Sequence, residues 1–173
     1  MSRERRSDSE LLLGEWACLG IVAQESTHGF AVAARLTADG DIGRIWSLSR
    51  PLTYRALDHL VTVGYLEAAR EEHGVAGGNR TILRITRTGR TELKRWLAAP
   101  SIHLRDLRSE FLLKLALADQ LGVDTRVLIK KQKDIVAAVV KKLRAQSRTS
   151  DDLVTAWRIE AAEGARRFLD QLS

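Results

Sequence analysis

Apolar residues recur at three-to-four spacing through most of the chain and alternate in only one stretch, so the pattern predicts helices with a single hairpin. Leu12, Trp16, Leu19, Val22 and Ala23 mark the inner side of a first helix over 10–24, with Ser9 in place to cap it. Phe30, Ala33, Ala34 and Leu36 predict a second helix over 29–38, packed on the first. Gly40 and Gly43 then loosen the link to a short run, Ile45 to Leu48. A third helix carries Ala56, Leu57, Leu60 and Val63 on its buried face. Ser49 is placed as its N-cap, Pro51 fits the first turn where a missing N–H costs nothing, and Gly64 stops it.

From Leu66 the period changes. Residues 67–72 and 81–86 are β-prone arms around a tip with three glycines and Asn79, which predicts a hairpin with positive-φ positions at its tip. Thr86 is placed to cap a further helix through Arg90, Leu93, Trp96 and Leu97, ending at Ala99-Pro100. Beyond Pro100 only helical blocks follow. The first, over 106–121, is apolar nearly all round and is broken by Gly122 and Asp124. The second, over 126–146, sets Leu128, Gln132, Ile135, Val139 and Leu143 on one stripe among many lysines. The third starts from a capping Ser150 or Asp151 and places Leu153, Trp157, Ala161, Gly164, Phe168 and Leu172 on a coiled-coil-like seam. Three such helices cannot cover all their apolar faces within the remaining length. A second copy of the chain is the simplest cover, since a two-fold interface uses one patch twice; folding back on the N-terminal part is the other.

The predicted organisation is a disordered tail (1–8), a winged helix-turn-helix domain (9–100) and a helical dimerisation and effector domain (101–173). The fold class is therefore mainly α with a small β-hairpin wing, and its C-terminal antiparallel helices form a dimer interface.

Composition narrows the function. With 45% apolar residues in 173 the chain can build a real core, and its formal charge of +6 suits a polyanionic partner without proving one. Cys18 is the only cysteine, so an intrachain disulfide and a cysteine-built zinc site are excluded; in its apolar run it reads as a buried, inert thiol. Acids at Asp8, Glu10 and Glu15 argue against a signal peptide, and no run approaches the ~18 apolar residues of a membrane span. A soluble, cytoplasmic protein without metal or cofactor is expected. There is no phosphate-binding glycine loop, nucleophile elbow or metal-spaced histidine pair, so no catalytic residue is assigned and an enzyme is not expected.

The candidate chemistry lies in the third helix and the hairpin. Once the buried face is fixed, Ser49, Arg50, Thr53, Tyr54, Arg55 and His59 are expected on the opposite side, free to touch phosphates and base edges. Asn79 and Arg80 stand where the wing tip rejoins its second strand, placed for the DNA backbone or the adjacent minor groove. Arg70 and Arg84 have an equal use in pairing with Glu71 or Glu72 across the hairpin. His28 reads as a turn residue before Gly29. Double-stranded DNA is the partner these residues suit best. A winged-helix module for protein contacts, and a constitutive DNA-binding protein without an effector, are the alternatives.

The order of these segments resembles the PadR family of bacterial transcriptional regulators over nearly the whole chain. His28-Gly29-Phe30-Ala31-Val32 looks like the opening of the family's second helix, and Tyr54 to Leu60 with Gly64-Tyr65-Leu66 like its recognition helix. Asn79-Arg80 before Ile82, Leu83 and Ile85, then Thr86 to Arg90, resemble its second wing strand and the turn after it. Arg108 to Leu115 resembles the start of its helical C-terminal region. The chain departs from many members at Pro51-Leu52-Thr53, where they carry Gly-Thr before the tyrosine. The resemblance implies a homodimeric winged-helix regulator, usually a repressor, often released by a small aromatic or hydrophobic molecule. Trp16, Trp96 and Trp157 are the candidate lining of such an effector pocket, because flat rings favour flat apolar ligands; core packing is the other fate of these rings.

Overall fold

The computed structural model describes residues 11–73, 79–147 and 152–172. The expected tail, the caps at Ser9 and Ser150 or Asp151, and the wing-tip glycines lie outside the described residues.

The first core is built around α1 (Leu13–Gln24), in which every residue from Ala17 to Ala23 is buried. It is more central than an amphipathic surface helix: α2 (Gly29–Arg35), α3 (Arg50–Thr62) and α4 (Arg87–Ala98) all pack on it. Leu12, expected on the inner side, precedes α1 and is exposed. Its backbone N–H donates to the Glu15 carboxylate, which takes over the capping role. At about 1.5–3 kcal/mol for each fully buried large aliphatic side chain, Leu19, Ile21, Val22, Leu57 and Leu60 make this the principal source of stability.

The helix α2 ends at Arg35, short of the expected 38, and Phe30 and Ala34 point outward. The chain then folds tightly on itself. A Cβ at Gly43 would lie 1.7 Å from the Thr37 carbonyl oxygen and one at Gly40 2.2 Å from that of Arg35. These two glycines therefore allow close backbone contact rather than loosening the link.

The sheet has three antiparallel strands in the order β1-β3-β2: β1 (Thr27–His28), β2 (Leu66–His73) and β3 (Asn79–Ile85). The hairpin was legible, whereas β1 was not; two residues are too few to alternate. Pairing of Leu66 with Ile85 fixes the base of the wing, and a bulge at Ala68/Arg70 bends the strand beyond it. The Thr86 hydroxyl accepts from the Gly89 N–H at 3.0 Å and donates to the Gly64 carbonyl, so the cap of α4 also fastens the end of α3.

Beyond Pro100 a 3-10 helix (Leu104–Arg108) leads into α5 (Glu110–Gln120), then α6 (Arg126–Ser147) and α7 (Leu153–Asp170), which pack on each other. The helix α5 starts later than expected because the 3-10 turn occupies its first predicted residues. On α6, Leu128, Gln132 and Leu143 are buried as expected, but Val136 and Val140 replace the expected Ile135 and Val139. The buried surface is broader than one stripe, since α6 is covered by α7 and also, through Gln132, by the linker at Ser101. Phe111 joins these residues with Ala162 and Leu169 in a second core.

The helix α5 belongs to both cores. Phe111 enters the second, while Leu113 and Leu117 complete the first. A Cβ at Gly20 of α1 would meet the Leu117 side chain at 2.5 Å. The linker itself is pinned: the buried Gln132 amide accepts from Ser101 N–H at 2.8 Å and donates to Ser101 C=O at 2.9 Å. Beside it the buried Lys114 ammonium donates to the Ala99 carbonyl at 2.7 Å and pairs with Glu110. Burial pulls that ammonium below the ordinary lysine range, and the Glu110 carboxylate opposes the shift.

Candidate nucleic-acid interface

Ser49 occupies the N-cap position of α3 in an extended conformation, without a side-chain capping bond, and Pro51 is the second helical residue. With Ala56, Leu57 and Leu60 turned to the core, the helix presents Arg50, Leu52, Tyr54, Arg55 and Asp58 outward. Two expected members of that face are elsewhere. Thr53 is fully buried, its hydroxyl donating to the Ser49 carbonyl at 3.1 Å. It lies three and four residues before Ala56 and Leu57 and so shares their face; its polarity disguised a core position. His59 is half-buried, and its Nδ1 sits 2.9 Å from Glu15 Oε1 on α1. That contact ties α3 to the central helix α1.

Tyr54 is held by α2. Its ring lies on Gly29, where an added Cβ would come within 2.6 Å of Cε1, so only glycine admits the ring there. Gly29 opens α2 because His28 caps it, Nδ1 accepting from the Ala31 N–H at 3.2 Å. His28 is thus structural, as its position suggested, and doubly so as a strand residue paired with β3. The next residue, Phe30, is half-exposed, and the Arg50 guanidinium stands over its ring at 4.9 Å from the centroid. Phe30 was missed because an aromatic at helical spacing reads as core; the signal against it was its place in the first turn, beside the Gly29 that Tyr54 covers.

On the wing, Asn79 and Arg80 are exposed. Asn79 Oδ1 lies 2.7 Å from His73 Nδ1, closing the described end of the hairpin. Arg84 donates across the hairpin to Glu67 at 2.7 Å, and Arg70 donates along its own strand to Glu72 at 2.8 Å. Both of those arginines are therefore engaged with carboxylates, whereas Arg50, Arg55 and Arg80 form no ion pair among the described residues. Between α3 and the wing runs a groove of about 620 Å³, walled by Tyr54, Asp58 and Thr62 on one side and by Asn79, Arg80 and Thr81 on the other.

The three tryptophans do not share one pocket. Trp16 and Trp96 stack with centroids 4.9 Å apart and planes 7° from parallel, and Lys114 Nζ lies 4.9 Å over the Trp96 ring. They line a cleft of about 800 Å³ between the first core and the linker, together with Trp46 and Arg105. Trp157 lines a separate cleft with Leu104, Leu112 and Phe168. On α7 five of the six predicted seam residues face outward, Leu153, Trp157 and Phe168 exposed and Ala161 and Gly164 half-buried, while Ala162, Glu163 and Leu169 turn to the second core; the sixth, Leu172, lies past the helix end and packs half-buried against that core.

Among the described residues no group of three or more His, Cys, Asp or Glu side chains is arranged to hold a metal, and no helix is long and apolar enough to cross a membrane. Cys18 is buried, and that burial pushes its thiol up to about 12. Its thiolate is unavailable at neutral pH.

Residues 18–95 match the model of the transcriptional regulator PadR-like family. Among solved structures the chain is similar to that of Bacillus subtilis PadR in complex with operator DNA, with 17% identity, 91% of this chain and 95% of that chain covered, and a TM-score of 0.48. It is similar also to the PadR-like transcriptional regulator BC1756 from Bacillus cereus, with 17% identity, coverage of 96% and 97%, and a TM-score of 0.42. A search of curated proteins finds no match. The matched segment, residues 18–95, runs from α1 into α4 and takes in α2, α3 and all three strands, so this part of the chain is similar to the transcriptional regulator PadR-like family.

Proposed function

We propose that the chain is a homodimeric repressor that binds a palindromic operator in double-stranded DNA, with α3 in the major groove and the wing on the backbone or adjacent minor groove. The observation that carries this reading is a set of three exposed arginines that form no ion pair among the described residues: Arg50 and Arg55 on α3, and Arg80 on the wing side of the groove that Tyr54 walls on the other. Ser49, Tyr54 and Asn79 complete the surface. The exposed apolar seam of α7 supports a second copy as the cover for that face, and two copies supply the two recognition helices a palindrome requires. The cleft at Trp16 and Trp96 supports release by a small aromatic or hydrophobic effector. Such a ligand relieves repression only if it binds the non-productive spacing of the two recognition helices more tightly than the productive one.

The test is selection of bound duplexes from a random pool at physiological and at high salt. An enriched inverted repeat with half-sites about one helical turn apart is the expected result, and no enrichment from folded protein refutes the reading. Affinity for the selected site should fall with salt at about −0.9 in log–log slope per phosphate contact. Arg80→Ala should weaken binding to all sequences and reduce that slope by about one; an unaltered slope would remove Arg80 from the interface. Gly29→Ala should displace the Tyr54 ring and lower operator affinity with little change in helix content, as titration and circular dichroism would register. Equal affinity in that variant would mean that Tyr54 does not touch DNA.

A further inference from the structure

We propose that Phe30 is a positioning residue for Arg50, holding its guanidinium flat so that its edge reads a guanine in each half-site. The proposal rests on the DNA-binding reading above and assigns a base preference to one residue pair within it.

Phe30 is a large apolar side chain left half-exposed on the first turn of α2, on the same surface as Tyr54 and the groove. The Arg50 guanidinium lies 4.9 Å from its ring centroid. His28 is a further neighbour, its ring 6.4 Å from that of Phe30 and tilted by 34°. His28 is itself fixed by its cap to Ala31 and by strand pairing, so the Phe30 ring has a rigid neighbour. Arg50 is the first residue of α3, and the N-terminal end of a recognition helix is the part that meets base edges.

A guanidinium held over an aromatic face spends none of its hydrogen-bonding capacity there, since its five N–H donors lie in its own plane. Among the described residues no carboxylate competes for them. The planar fork matches the O6 and N7 acceptors of guanine in the major groove, a pattern no other base presents there. An unsupported arginine would have to surrender its rotamer freedom on binding; one held on Phe30 has surrendered part of it beforehand. The expected consequence is sharper discrimination rather than general affinity, because a loosely held guanidinium still finds phosphates.

Random-pool selection with wild type, Arg50→Ala, Phe30→Leu and Phe30→Tyr tests this. Wild type should enrich a site with one invariant guanine in each half. Arg50→Ala should lose the preference at that position alone, by about tenfold or more. Phe30→Leu should weaken the same position by about two- to fivefold, leaving the other positions and the salt slope unchanged, and Phe30→Tyr should restore it. A Phe30→Leu profile equal to wild type overturns the proposal. So does a loss spread over all positions, which would mean a displaced α2, and so does a Phe30→Tyr variant no better than Phe30→Leu. An Arg50→Ala variant that keeps every preference overturns the guanine contact while leaving the DNA-binding reading intact. A wild-type protein that enriches nothing overturns that reading itself.

Discussion

Replacing Gln132 by leucine should destabilise the chain by about 2–5 kcal/mol, although leucine nearly matches its shape. Gln132 is buried and satisfies both backbone groups of Ser101, itself buried. Leucine leaves a donor and an acceptor dry and unpaired, and each such group costs about 1–3 kcal/mol. The displacement should show in urea denaturation as a lowered midpoint. Gln132→Glu refines the test. Its carboxylate still accepts from Ser101 N–H, but it sets a second oxygen against Ser101 C=O where the amide N–H had been. A glutamate there is easier to protonate in the folded than in the unfolded chain, because only the neutral acid donates to that carbonyl. The variant should therefore regain stability as pH falls toward the carboxyl range, the reverse of a paired carboxylate. A Gln132→Leu midpoint equal to wild type would show that the clasp contributes nothing.

Trp157→Ala should weaken self-association at least about thirtyfold, the signature of an interface residue worth 2 kcal/mol or more. The ring is 73% exposed in the single chain, so its removal opens no cavity in either core. Whatever is lost is lost from a partner. Sedimentation equilibrium over a concentration series separates the outcomes. A wild-type protein that stays monomeric sinks the dimer; a mutant that associates as tightly as wild type sinks this face as its interface. Operator affinity should fall alongside, since a monomer holds one half-site.

The sequence was most legible where one physical signal dominated. The starts and ends of α3 and α4 follow from Pro51, Gly64, Thr86 and Pro100, each of which acts through its own backbone chemistry. The hairpin follows from a change of period at Leu66. Tertiary contact decided the rest. Thr53 reads as polar and is core, because a hydroxyl that bonds one turn back costs little to bury. Phe30 reads as core and is half-exposed, with Arg50 and His28 as its neighbours there. His59 reads as an unengaged polar side chain on the outer face of α3 until α1 brings Glu15 against it, across 44 residues of chain that no local pattern spans. The tryptophans illustrate the same limit: nothing in their spacing says that Trp16 stacks on Trp96 or that Trp157 stands apart.

The double membership of α5 bears on how such a protein can be taken apart or recombined. Cutting the chain at Pro100, where the sequence offers its clearest seam, would strip Leu113 and Leu117 from the first core and leave the Gly20 face of α1 open to water. The N-terminal core and the C-terminal helices are thus not interchangeable cassettes. A chimaera that joins the N-terminal core to other C-terminal helices needs to carry α5 with that core, and then needs new helices whose own core accepts Phe111.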